Sequence, residues 1–257
     1  DGDAMPGMFT WDGVTPETRI AALRTAPATA ALGEKFQYSN QMFAAGGFMA
    51  AHAFAPTLPL AQAYSSAMQA KVFAPIGMTA TTTDFAVVEA GDHALPHALA
   101  IDGTTHALPL AIERAVLPIA PAGAVWSTLH DMERYALTEL ADGIAPDGKR
   151  VAGAASLAER AKQRIAIDAS TGYGLGLDIS SDHGLRVLSH DGGSFGFGTT
   201  LYLLPEARTG IVILTNVRNG TAGSQLPFNE AVTRRIVEAL VATTAPDAEE
   251  LLSRAVK

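Results

Sequence analysis

Cysteine is absent from the 257 residues, which excludes disulfides, thiolate metal sites and a cysteine nucleophile together and leaves the redox compartment open. Positive charge is scarce: 18 Lys+Arg stand against 26 Asp+Glu, a formal net charge of −8. Phosphate neutralisation needs clustered Lys and Arg, and no basic run occurs, so no nucleic-acid partner is expected. Long apolar runs are missing as well. Gly, Pro or a charge interrupts each one short of the ~18–20 residues a membrane span requires. Nothing near Asp1 has the apolar stretch of a signal peptide. What the chain does have is core material: 48% of residues are hydrophobic and 17% charged, ample for a buried interior and incompatible with intrinsic disorder.

Residues 1–14 read as irregular, with Gly2, Pro6, Gly7 and Gly13 close together. Thr15-Pro16-Glu17 is a helix start: a capping hydroxyl, a proline at the first helical position and an acid in the first turn. That helix should end before Pro27. Further helices are predicted over 40–54 and 60–72, the latter with Leu60, Tyr64 and Met68 on one face. Pro75, Gly77 and the threonine run 79–83 should close this region. The stretch 84–122 shows no sustained period, apart from a hairpin candidate in HALAIDGTTHAL (97–108), where Asp102-Gly103 supplies the turn. Thr128 and Asp131 have capping-box-like spacing, ahead of a stripe of Leu129, Met132, Ala136, Leu137 and Leu140. A short helix near 156–164 follows.

The character then changes. YGLGLDI (173–179), GLRVLS (184–189), GTTLYLLP (198–205) and GIVILTN (210–216) read as strands on short links, which implies antiparallel pairing. A helix over about 227–242, with Ala231, Ile236, Val237 and Leu240, should cover that sheet, and a helical tail is predicted over 247–256. Helices, then strands, then a covering helix make an α+β fold in a single domain spanning 1–257. Within it, 15–165 is mostly helical and 171–245 holds the strands and the covering helix.

Two segments concentrate polar chemistry: Phe36-Gln37-Tyr38-Ser39-Asn40, and Ser189-His190-Asp191-Gly192-Gly193-Ser194 with its continuation Phe195-Gly196-Phe197-Gly198. The second contains a literal G-x-S-x-G. A nucleophile elbow, however, needs a strand–turn–helix context and a later histidine, and none of the seven histidines follows Ser194. His93 and His97 are four apart, but Gly91 and Pro96 spoil a helical ligand pair, so ordinary loop hydrogen bonds are the simpler reading and no metal is expected. Structural roles stay open for the rest: Asn40 as a helix cap, Tyr38 as a core tyrosine, His190 as a strand end, the glycines as a bulge or turn.

FQYSNQMF (36–43), VFAPIGMTATT (72–82), PAGAVWSTLHDMERYAL (121–137), YGLGL (173–177), SHDGGSFGFGTTLYLLP (189–205) and GIVILTN occur in an order and spacing that resemble the serine β-lactamase and penicillin-binding-protein superfamily. The similar branch is that of class C β-lactamases, D-stereospecific peptidases and related esterases. The resemblance implies a cofactor-free hydrolase that forms an acyl-enzyme. Tyr38 and Asn40 match the family's Tyr-x-Asn motif: the phenol would shuttle a proton between nucleophile and leaving group, and the amide would hold the substrate's acyl-side amide. His190-Asp191-Gly192 matches the third motif in its His-x-Gly form, which leans toward a peptidase or esterase rather than a true β-lactamase. The Gly193 N–H would be an oxyanion donor, and Asp191, Gly192 and Ser194 would line the substrate.

The sequence departs from the family at its nucleophile. No serine here is followed three residues later by lysine; Ser253, with Lys257 four residues on, comes nearest. The family's Ser-x-x-Lys, where the lysine takes up the serine proton, is therefore expected on an N-terminal fragment of the same precursor that stays associated with this chain. Family habit implies a periplasmic or secreted location and a peptide or small-molecule substrate. Two other readings remain: a non-catalytic module that binds peptides or cell-wall fragments, and, on His93 and His97 alone, a metal-dependent hydrolase.

Overall fold

The computed structural model describes residues 13–100, 102–217 and 227–244. The irregular start (1–12) and the helical tail expected over 247–256 lie outside the described residues. The helices are α1 (Pro16–Ala22), α2 (Asn40–Phe54), α3 (Leu60–Met68), α4 (Ala74–Ile76), α5 (Phe85–Ala90), α6 (Leu129–Leu140), α7 (Ala154–Arg160) and α8 (Pro227–Thr244). The strands are β1 (His97–Leu99), β2 (Thr105–Ala107), β3 (Ile165–Ala166), β4 (Gly172–Tyr173), β5 (Asp178–Asp182), β6 (Leu185–Gly193), β7 (Gly198–Leu204) and β8 (Thr209–Thr215).

Local signals placed most of these boundaries. The Thr15 side chain accepts from the Thr18 N–H and caps α1, with Pro16 at its first position. The helix predicted over 60–72 is longer and less regular than the pattern implied. After α3 the backbone widens into a π-helical stretch, Gln69–Phe73, and Pro75 rides inside α4 rather than stopping the run. The stop is Gly77, whose φ of +82° only glycine adopts without strain. In 84–122, where no period is visible, the structure has α5 and a kinked 3₁₀ segment, Leu110–Ala122, carrying Pro118 and Pro121. β1 and β2 form the expected hairpin, His97 pairing with Ala107.

The main sheet is antiparallel with strand order β3-β4-β5-β6-β7-β8. YGLGLDI is not one strand. Gly176, at φ +77°, turns the chain between β4 and β5, and the Gly174 N–H closes the turn on the Leu177 carbonyl at 2.8 Å. One face of the sheet packs under α8, where Val187, Leu204, Ile211 and Val237 form a buried cluster. Of the residues expected to cover the sheet, Val237 and Leu240 do so, while Ala231 and Ile236 are exposed. Neighbouring side chains along a strand point to opposite faces. The other face meets α6, where a Cβ at Gly210 would lie 3.3 Å from the Ala136 Cβ. Ala136 is buried there, but Leu129 and Leu137 of the predicted stripe are exposed. A separate core, with Phe48, Tyr64 and Ile119 at its centre, unites α2, α3 and the 3₁₀ segment.

Candidate active site

Tyr38 and Asn40 sit where an extended segment enters α2. Ser39, not Asn40, is the cap: its backbone is extended and its hydroxyl accepts the Met42 N–H at 3.2 Å. Asn40 takes the first helical position and is half-buried. Tyr38 is 43% exposed, so it is no core tyrosine.

His190 lies inside β6 rather than at its end. Val187 on the same strand packs beneath α8, so the alternation sends His190 and Gly192 to the helical side of the sheet. There the His190 ring stands 6.2 Å from the Tyr38 ring and 6.3 Å from that of Tyr173. Tyr173 is in turn 6.4 Å edge-on from Tyr38 and 5.1 Å from Phe36. Its hydroxyl is 3.3 Å from His190 Nε2, and His190 Nδ1 is 2.7 Å from the Asp191 carbonyl oxygen. Burial pushes the Tyr173 phenol well above the usual tyrosine range, with the negative charges that Tyr38 and Asp178 can carry adding to it. Burial also holds the Asp178 carboxyl up, as does Asp191, while His190 opposes the shift.

Beyond His190 the strand runs through Gly192 and Gly193, both exposed, and pairs without a bulge: Gly192 with Thr199 and Gly193 with Gly198. Ser194 begins the turn, its N–H bonded to the Phe197 carbonyl at 3.1 Å. The G-x-S-x-G therefore stands at a strand–turn–strand connection, not an elbow. The turn is anchored from behind. The buried Glu113 carboxylate accepts the Gly196 N–H at 2.9 Å, the Gly196 carbonyl accepts from His97, and Trp126 packs edge-on to Phe197. The Asp191 carboxylate, expected at the substrate, is instead turned to the α8 side. It accepts from the Thr200 hydroxyl at 2.8 Å, and Thr200 accepts from buried Asn229.

Tyr38 and His190 thus converge and the Gly192–Gly193 backbone continues their strand, whereas the Asp191 side chain does not join them. Tyr173 and Glu113 are the residues sequence reasoning missed. Tyr173 stood in plain view in YGLGL, but no pattern ties a lone strand tyrosine to a histidine seventeen positions on. Glu113 lies in the stretch without a period. His93 Nδ1 holds the Gly91 carbonyl, and His97 Nδ1 those of Leu95 and Asn216. Among the described residues no three His, Asp or Glu side chains gather as a metal site would require.

A family model described as Beta-lactamase matches residues 1–233. The chain is 30% identical over 169 residues to Penicillin-binding protein 4 of Amycolatopsis lactamdurans, an alignment covering 60% of this chain and 42% of that protein. Its fold is similar to that of the octameric penicillin-binding protein homologue from Pyrococcus abyssi, with a TM-score of 0.69 and 20% identity, over 91% of this chain and 50% of the other. It is also similar to the D-amino acid amidase from Ochrobactrum anthropi SV3 complexed with L-phenylalanine, with a TM-score of 0.72 and 20% identity, over 95% and 69%. The chain spans less than half the length of the curated relative and half that of the Pyrococcus homologue.

Proposed function

The chain belongs to the beta-lactamase family, and from that premise we propose that it builds one wall of the cleft of a serine hydrolase that works through an acyl-enzyme on amide or ester bonds. The observation that carries this reading is the approach of the Tyr38 and His190 rings to 6.2 Å from segments far apart in the chain. The Tyr38 phenol passes the proton of the attacking hydroxyl to the leaving nitrogen or oxygen as the acyl bond breaks. Asn40 holds the acyl-side amide of the substrate, and the Gly193 N–H stabilises the oxyanion. The exposed backbone at Gly192 and Gly193 supports this, since no side chain there obstructs a substrate. Histidine in the third motif favours a peptidase or esterase over a true β-lactamase.

The nucleophile belongs to a Ser-x-x-Lys carried by an associated N-terminal fragment of the same precursor, in a periplasmic or secreted setting. No serine of this sequence has a lysine three residues on, and large apolar side chains are open on α2 (Met42, Met49) and α6 (Leu129, Leu137); both support this reading. The test is to purify the protein from cells carrying the full gene and treat it with a fluorophosphonate probe. The expected result is two polypeptides by intact mass, with the label on a serine of the partner fragment. A single unlabelled 26.7 kDa species would overturn the proposal and leave the non-catalytic binding module.

A further inference from the structure

We propose that Tyr173 is the positioning residue of the cleft: its hydroxyl donates to Nε2 of His190, fixes that imidazole as the Nδ1–H tautomer, and keeps its basic nitrogen engaged by the protein. The inference deepens the cleft proposed above and rests on that reading for its bearing on catalysis.

A backbone carbonyl can only accept, and the Asp191 carbonyl oxygen lies 2.7 Å from Nδ1, so Nδ1 carries a proton. The opposite neutral tautomer would set two lone pairs against each other at that distance. Neutral His190 therefore has its lone pair at Nε2, where the Tyr173 oxygen stands 3.3 Å away, and the phenol donates. Tyr173 is ringed by Phe36, Tyr38 and His190. Its phenol holds its proton far into the alkaline range. The charged and titratable groups around the imidazole are Tyr38 before α2, Tyr173 on β4, Asp178 on β5 and Asp191 on β6.

Two consequences follow. With His190 neutral, the Tyr173 proton is committed, so toward Tyr38 or a substrate its oxygen acts only as an acceptor. When His190 takes up a proton at Nε2, that N–H donates to the Tyr173 oxygen and frees the phenol O–H to donate into the cleft. The imidazole thus sets the polarity of Tyr173.

The test is long-range ¹H–¹⁵N correlation NMR on the histidine side chains of the whole chain at about pH 8. His190→Gln assigns the resonances. The expected wild-type spectrum has a protonated Nδ1 and an unprotonated Nε2, and Tyr173→Phe moves the Nε2 resonance downfield as the lone pair loses its donor. A protonated Nε2 in the wild type, or an Nε2 resonance that Tyr173→Phe leaves in place, overturns the proposal. The wild-type spectrum decides the tautomer even where the variant does not fold. Neither readout depends on hydrolysis, so failure here is distinct from failure of the serine-hydrolase reading.

Discussion

Tyr38 illustrates how a single residue's role turns on exposure. Had it been buried, its phenol would be core filling; at 43% exposed it is open to solvent beside His190. Under the proposed acyl-enzyme mechanism, Tyr38→Phe is expected to lower the rate of acyl-enzyme formation by about 10²–10⁴-fold, the usual scale for losing a proton-transfer group. Stopped-flow acylation measures it, and a rate within threefold of wild type would remove the phenol from the proton path. Gly196 makes the opposite point, because its value is what it lacks. A Cβ there would stand 2.3 Å from the Pro96 Cβ and 2.7 Å from the His97 nitrogen. Gly196→Ala should cost about 1–3 kcal/mol, as overpacking does, read as a lower urea midpoint; an unchanged midpoint would show that the Pro96 loop yields freely. Tyr38 and His190, which the structure brings together, were legible because each sits in a short motif of the resembling family. Tyr173 and Glu113 were not, since a strand tyrosine and a helical glutamate acquire meaning only from what the fold sets beside them.

Among the elements, the ones with hard stereochemical signals were legible. The Thr15 cap with Pro16, the range 40–54 and three of the four strands with their short links appear as expected, while YGLGLDI is divided by the turn at Gly176. The π-helical stretch and the kinked 3₁₀ segment were not, because neither repeats at a helical period and each is held by tertiary packing, the 3₁₀ segment against α2 and α3 and Phe73 of the π-helical stretch beside Ile76, Met78 and Met132 of α6. Capping of α6 shows how a local signal can be half used. Thr128 caps the Asp131 N–H as the spacing suggested, but the Asp131 carboxylate reaches away from the helix start, accepting the Ala80 N–H at 2.8 Å and the Thr81 hydroxyl at 2.7 Å. Asp131 is 1% exposed, and losing it removes the acceptor of the Ala80 N–H and one of the two partners of the Thr81 hydroxyl, which keeps Ser127 Oγ at 2.8 Å. Asp131→Ala is expected to destabilise the fold by about 1–3 kcal/mol, with faster amide exchange at Ala80. Exchange at Ala80 equal to wild type would show that this carboxylate does not anchor the 79–83 segment.

For the molecule as a whole, buried phenols tie stability to alkaline pH. Burial pushes Tyr64 up to about 12, and it raises Tyr173 and Tyr202 too, the latter helped by the Asp182 carboxylate that accepts its hydroxyl. In the unfolded chain these phenols ionise near ~10. The folded state holds the protons longer, so stability is at its full value below about pH 10 and falls as pH rises toward the folded values. For Tyr64, 7% exposed in the helical core, the loss is about 2 kcal/mol by pH 12. Urea midpoints at steps between about pH 9 and 12 should trace the fall, and Tyr64→Phe should flatten part of it; a midpoint independent of pH would contradict the buried phenols. By itself the sequence determined the α+β order, the antiparallel sheet and the two polar segments, because caps, turn residues and two-residue alternation act over a few neighbours. Only the tertiary structure decided that Tyr173 bonds His190, that Asp191 turns to Thr200 and α8, and that Glu113 holds the glycine turn. Those choices depend on strand register and on which helix covers which face, and both are settled by packing between residues far apart in the chain.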